Sequence, residues 1–108
     1  MHFTEDAKTN EIPAGQMKAV EVEGKQILIV NYAGAYYALG GRCTHMGGDL
    51  SKGKLEGKTI TCPRHGSQFD VVTGSSISGP KIGPLHLKTK DETTYEVRVD
   101  GNTIQVNV

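Results

Sequence analysis

Both cysteines and two of the four histidines of this chain fall between positions 43 and 65. They are grouped as Cys43-Thr44-His45 and Cys62-Pro63-Arg64-His65, with sixteen residues between His45 and Cys62. Glycines follow each group: Gly47 and Gly48 after the first, Gly66 after the second. Two thiols and two imidazoles supplied by two facing loops would make a four-ligand metal site. Thiolate suits zinc, copper(I) and iron-sulfur clusters, while imidazole suits zinc, copper and iron, so ligand type leaves several metals open. Structural zinc sites of this composition usually keep like ligands together, cysteines about two to four residues apart and histidines about three to five. Here each group supplies one of each. That mixture is expected when cysteines hold one iron of a two-iron, two-sulfur cluster and histidines hold the other. Zinc in a Cys2His2 structural or regulatory module is the alternative from a different class. Blander readings are buried or disulfide-bonded cysteines and histidines that merely sit in turns.

The segments Cys43-Thr44-His45-Met46-Gly47-Gly48 and Cys62-Pro63-Arg64-His65-Gly66-Ser67-Gln68-Phe69-Asp70, followed by Thr73-Gly74 and Gly79-Pro80, resemble the ligand boxes and covering loop of the Rieske family. Within that family the chain is most similar to the small, low-potential Rieske-type ferredoxins, and the likeness spans nearly its whole length. The resemblance implies one [2Fe-2S] cluster, with Cys43 and Cys62 on one iron as thiolates and His45 and His65 on the other as neutral imidazoles. It also implies a close shell around the cluster. Backbone at Met46, Gly47, Gly48 and Gly66 would approach the sulfides, Ser67 would supply a hydroxyl, and Pro80 would lie in the loop covering the remaining side.

Two ferric ions, two sulfides and two thiolates sum to a neutral unit, and reduction makes it singly negative. Neutral imidazoles in place of two further thiolates favour that reduced state and raise the potential. High-potential members carry an extra cysteine in each loop, where this chain has Gly48 and Arg64, and a tyrosine where it has Phe69. Fewer donors around the cluster place the expected midpoint in the lower part of the family's range of about −150 to +300 mV.

The elements that must position these loops read as strands. Lys18 to Val22 and Gln26 to Tyr32 are rich in β-branched residues around a Glu23-Gly24-Lys25 turn. Ala33-Gly34 turns the chain into a third strand, Ala35 to Leu39, after which Gly40-Gly41 is expected to free the backbone for the first ligand loop. Lys58 to Thr61 delivers Cys62, Gln68 to Val72 leaves the second loop, and Thr73-Gly74-Ser75 turns back. Thr93 to Val99 is expected as one strand with Tyr95, Val97 and Val99 on a face, and Thr103 to Val108 as its hairpin partner. Residues 1 to 13 read as a loose start or a short edge strand. Asp49, Lys52, Lys54, Glu56 and Lys58 read as a solvated loop, and His86 as a surface histidine on a strand.

No stretch shows a sustained 3.6-residue period, so the expected class is all-β. The Rieske resemblance implies antiparallel sheets formed by both chain ends, with an inserted cluster-binding subdomain over about 41–83. The 108 residues are expected to form a single domain, 1–108.

A net charge of zero gives no general attraction to nucleic acid or to an anionic membrane. The longest aliphatic run, Ile27 to Val30, is far short of the roughly 20 residues of a spanning helix. The first residues lack the basic and apolar parts of a secretory signal, so a cytoplasmic location is expected, where thiols stay reduced. The resemblance implies an electron-transfer protein rather than an enzyme: a soluble, monomeric one-electron carrier between a flavoprotein reductase and an oxygenase or other oxidoreductase. The alternative within the family is a small Rieske subunit fixed in a larger oxidoreductase complex. An oxygenase would need a further iron held by two histidines and a carboxylate, and His2 and His86 alone remain for it.

Overall fold

The computed structural model describes residues 2–42, 49–63, 66–78, 81–82, 85–86 and 91–108. The fold is all-β and antiparallel, as expected. The strands are β1 (Phe3–Lys8), β2 (Met17–Val22), β3 (Lys25–Tyr32), β4 (Ala35–Gly40), β5 (Lys54–Glu56), β6 (Thr59–Thr61), β7 (Gln68–Asp70), β8 (Ser76–Ser78), β9 (Lys81–Ile82), β10 (Leu85–His86), β11 (Thr94–Tyr95), β12 (Val97–Asp100) and β13 (Thr103–Asn107). Short 3-10 turns occupy Thr9–Glu11 and Leu50–Lys52. Among the described residues, no helix is long and apolar enough to cross a membrane.

Three sheets carry the architecture. The middle one has the order β11-β4-β3-β2, flanked by β1-β13-β12 from the two chain ends and by β5-β6-β7-β8 from the inserted segment; β9 and β10 pair separately. The physical centre is β3. Its side chains alternate between two cores. Ile27 and Ile29 pack with Ala7, Ile12, Val22, Ala38, Ile104 and Val106, whereas Leu28 and Val30 pack with Leu39, Leu50, Ile60, Cys62, Phe69 and Val71. A strand covered on both faces needs apolar residues in succession rather than in alternation, which accounts for the unbroken run Ile27–Val30. Each of these side chains is fully buried, worth roughly 1.5–3 kcal/mol apiece relative to exposure.

The turns follow the expected chemistry. Glu23-Gly24 and Ala33-Gly34 have positive φ at both positions (51° and 80°; 54° and 87°), the geometry that joins tight hairpins with the right twist. From Phe3 to Ile12 the N-terminal segment is firmly tied. β1 pairs with β13 along its length with a bulge between Glu5 and Ala7, so the edge-strand expectation holds. Asn31, nearly buried, donates from Nδ2 to the Ile12 carbonyl at 2.9 Å, and the Tyr36 hydroxyl donates to the Thr9 carbonyl at 3.1 Å.

Three expectations need correction. Thr93 to Val99 is two strands: β11 pairs with β4 and β12 with β13, the chain changing sheets at Glu96. Alternation persists through such a switch, so periodicity alone reads it as one strand. Gln68 to Val72 stops as a strand at Asp70, because the Asp70 carboxylate accepts from the amides of Val72 (2.8 Å) and Thr73 (3.3 Å) and bends the chain. Lys54 and Glu56 belong to β5, with only Leu55 turned inward. The His86 backbone lies in β10, and its surface assignment falls outside what is described.

Candidate metal centre

Of the four expected ligands, Cys62 lies among the described residues. Cys43, His45 and His65 fall outside them, as do Met46, Gly47, Gly48, Arg64 and Pro80. The described residues do define the frames of both ligand loops.

The first loop, 43–48, is bracketed by an antiparallel bridge between Arg42 and Asp49. Its base is tied to the start of β3. The Gly41 amide donates to the Gln26 carbonyl at 2.8 Å, Leu50 N donates to the Gly41 carbonyl at 3.0 Å, and Arg42 Nε donates to Gln26 Oε1. Asp49 then caps the turn that follows, accepting from Ser51 Oγ at 2.6 Å and Ser51 N at 3.0 Å. The Ser51 hydroxyl foremost, then its amide and the charges of Arg42 and Lys52, hold the Asp49 carboxyl below the usual carboxylate range against a smaller opposing effect of burial. Leu50, fully buried, fixes this turn into the core that contains Cys62.

Gly40 and Gly41 do not lend a left-handed backbone to this exit, as the sequence suggested, since neither has positive φ. They sit where space is short. A Cβ on Gly40 would lie 2.5 Å from Oε1 of the buried Glu92, and one on Gly41 would meet the Gln26 backbone at 3.2 Å.

The second loop is a tight reversal between β6 and β7. Cys62 N donates to the Ser67 carbonyl at 2.7 Å and Gly66 N to the Cys62 carbonyl at 3.3 Å. Gly66 adopts φ +75°, a conformation costly for any residue with a Cβ. Cys62 is 3 % exposed and packs in the same core as Ile60 and Phe69.

Ser67 is 1 % exposed, and its Oγ finds no hydrogen-bond partner among the described residues. An unpaired buried hydroxyl costs about 1–3 kcal/mol. A sulfur acceptor of a cluster held through Cys62 would satisfy it, so the described residues of the site, Cys62, Gly66 and Ser67, fit an iron-sulfur group. Nothing in the sequence distinguished the supporting roles of Leu50 and Asp49, although Asp49-Leu50-Ser51 carries a capping signature in retrospect.

The described scaffold, antiparallel sheets with the buried Cys62 and Ser67 at the foot of the β6–β7 connection, defines a small all-β protein. The sequence profile of the Rieske [2Fe-2S] domain matches residues 2–105. The chain belongs to that family and carries one [2Fe-2S] cluster. It is 36 % identical over 98 residues to the ferredoxin component of the naphthalene 1,2-dioxygenase system of Pseudomonas aeruginosa, covering 91 % of this chain and 88 % of the relative. Among solved structures it matches the ferredoxin of carbazole 1,9a-dioxygenase from Nocardioides aromaticivorans IC177 with a TM-score of 0.80 and 28 % identity, covering 98 % of this chain and 97 % of that one. A similar match, TM-score 0.79 and 28 % identity over 96 % of this chain and 91 % of the other, is to a structure described as the complex of reduced oxygenase and oxidized ferredoxin in carbazole 1,9a-dioxygenase.

Proposed function

We propose that this chain is a soluble one-electron carrier, accepting electrons from a flavoprotein reductase and passing them to an oxygenase or other oxidoreductase, as a monomer in the cytoplasm. The observation that carries this reading is its end-to-end correspondence, 98 % against 97 %, with a protein that is itself a ferredoxin of an oxygenase system. The matched ferredoxin–oxygenase complex supports an oxygenase as acceptor.

When bound, the cluster supplies a one-electron couple. Cys43 and Cys62 would hold one iron and His45 and His65 the other, within a subdomain of about 41–83 in a single domain. The chain's own contribution is to hold and shield these groups. Burial of Cys62 among Leu50, Ile60 and Phe69 keeps water from the thiolate side. The Ser67 hydroxyl provides a donor, and backbone at Met46, Gly47, Gly48 and Gly66, with Pro80 opposite, would complete the enclosure. Phe69, fully buried, brings no second hydroxyl. A smaller set of donors supports a midpoint in the lower part of the family range.

Electron paramagnetic resonance of the dithionite-reduced protein tests the ligation, because mixed nitrogen and sulfur ligands lower the average g value relative to an all-thiolate cluster. Cys62→Ala should abolish iron and acid-labile sulfide uptake, while His65→Cys should keep a cluster at lower potential. A colourless zinc protein, or a midpoint near the top of the range, would overturn the respective parts of the reading.

A further inference from the structure

This inference rests on the cluster reading above and concerns what sets the spacing between the two loops. Gly53 ends the 3-10 turn Leu50–Lys52 with φ −83° and ψ −168°, extended backbone open to any residue. Conformation therefore gives no reason for a glycine at this position. Space does: a Cβ at position 53 would lie 2.0 Å from the Thr61 carbonyl oxygen, 3.1 Å from its carbon and 3.2 Å from the Leu50 carbonyl oxygen.

What meets at this contact are the supports of the two ligand loops. On one side stands a continuous brace: the Arg42–Asp49 bridge that closes the first loop, the Asp49-capped turn, and Gly53 N donating to the Leu50 carbonyl at 3.0 Å. On the other stands Thr61, the residue before Cys62, paired in register with Lys54. Leu50 and Cys62 share one core, so neither support can move without disturbing it. We infer that Gly53 is a positioning residue for the cluster: the absence of a side chain there lets the brace of the first loop rest against the strand delivering Cys62, fixing the distance between the ligand pairs.

The size of the effect follows from the geometry. A real Cβ does not approach an oxygen closer than about 3 Å, so a methyl group must displace one support by about 1 Å. Metal–ligand distances tolerate about 0.2 Å. The displacement exceeds what the ligand set can absorb unless the thiolates and imidazoles reorient.

The test compares Gly53→Ala with Gly57→Ala. Gly57 sits at the β5–β6 turn with φ +59° and open space around its would-be Cβ, so alanine there strains the backbone without pushing the loops apart. Wild type and both variants are reconstituted anaerobically and assayed for iron and acid-labile sulfide, for g values, for visible circular dichroism, and for amide exchange of β3. Gly53→Ala is expected to retain a protected β3 but hold about tenfold less cluster under chelator competition, the scale for residues that hold ligands from behind. Its remaining cluster should show altered g values and visible dichroism. Gly57→Ala should lower thermal stability with both spectra unchanged. An equally loaded, spectroscopically identical Gly53→Ala beside a loaded wild type overturns the inference alone, as does loss of β3 protection or equal cluster loss in Gly57→Ala. A wild type without iron and sulfide overturns the cluster reading with it.

Discussion

The two faces of β3 are lined with equally apolar residues but covered by segments of very different kind. On one face Ile27 and Ile29 meet Ala7, Ile104 and Val106, brought from the two ends of the chain by the β1–β13 and β12–β13 ladders. On the other, Leu28 and Val30 meet Leu50, Ile60, Cys62, Phe69 and Val71, all supplied by the segment that bears the ligand loops. The buried side chains of the first core are all aliphatic, with Tyr36 and Tyr95 packed at its margin. The second includes a thiol expected to bind metal, in a sheet whose strands are three residues long. Small cores are the harder ones to stabilise, so the second face is expected to depend on the cluster more than the first does.

Adjacent substitutions in β3 separate the two cores. Leu28→Ala and Ile29→Ala each remove a fully buried side chain and should cost about 2–5 kcal/mol in urea unfolding. Only Leu28→Ala should also hasten iron loss to a chelator. Equal iron loss from both would show that the two cores are not separable in this way.

A smaller effect is expected at the turn that follows the first loop. Asp49→Ala removes the cap from Ser51 and should cost about 0.5–1 kcal/mol, the low end for a partly exposed cap. Because the Asp49 carboxyl is held below its ordinary value, its contribution is complete above about pH 3.9 and is lost only as pH falls through the lower folded value. The difference between wild type and variant should therefore stay constant from about pH 8 to pH 5. A difference that shrinks across that interval would contradict the depressed titration. Smallest of all, Ala33→Asn should raise stability by about 0.5 kcal/mol, since Ala33 sits at φ +54° in a turn that prefers Asn before Gly. An unchanged melting midpoint would argue against strain at that turn.

How much of this was legible in the sequence differs between the same two regions. The hairpins from Met17 to Gly40 follow from β-branched runs and glycine-bearing turns, and their register is set by a two-sided burial pattern. The types and spacing of Cys43, His45, Cys62 and His65 pointed to an iron-sulfur group before any fold was considered. Less accessible was anything decided by contact across the chain. The switch of sheets at Glu96 leaves alternation intact, and β5 is too short and too charged to show a period. Gly53 looks like any turn glycine until the Thr61 carbonyl is seen against it. That the Ser67 hydroxyl has no partner among the described residues is likewise a property of burial, which its serine-glutamine context does not announce.

Most strands leave every second position facing water, where substitutions accumulate at little cost. From Ile27 to Val30 there is no such position. A saturation library across this strand should accordingly show five consecutive intolerant sites, the four apolar ones and the buried Asn31, in place of an alternating tolerance profile. Variation in the protein would then be confined to its rim and turns, with this one strand acting as the fixed spine that both halves must accommodate.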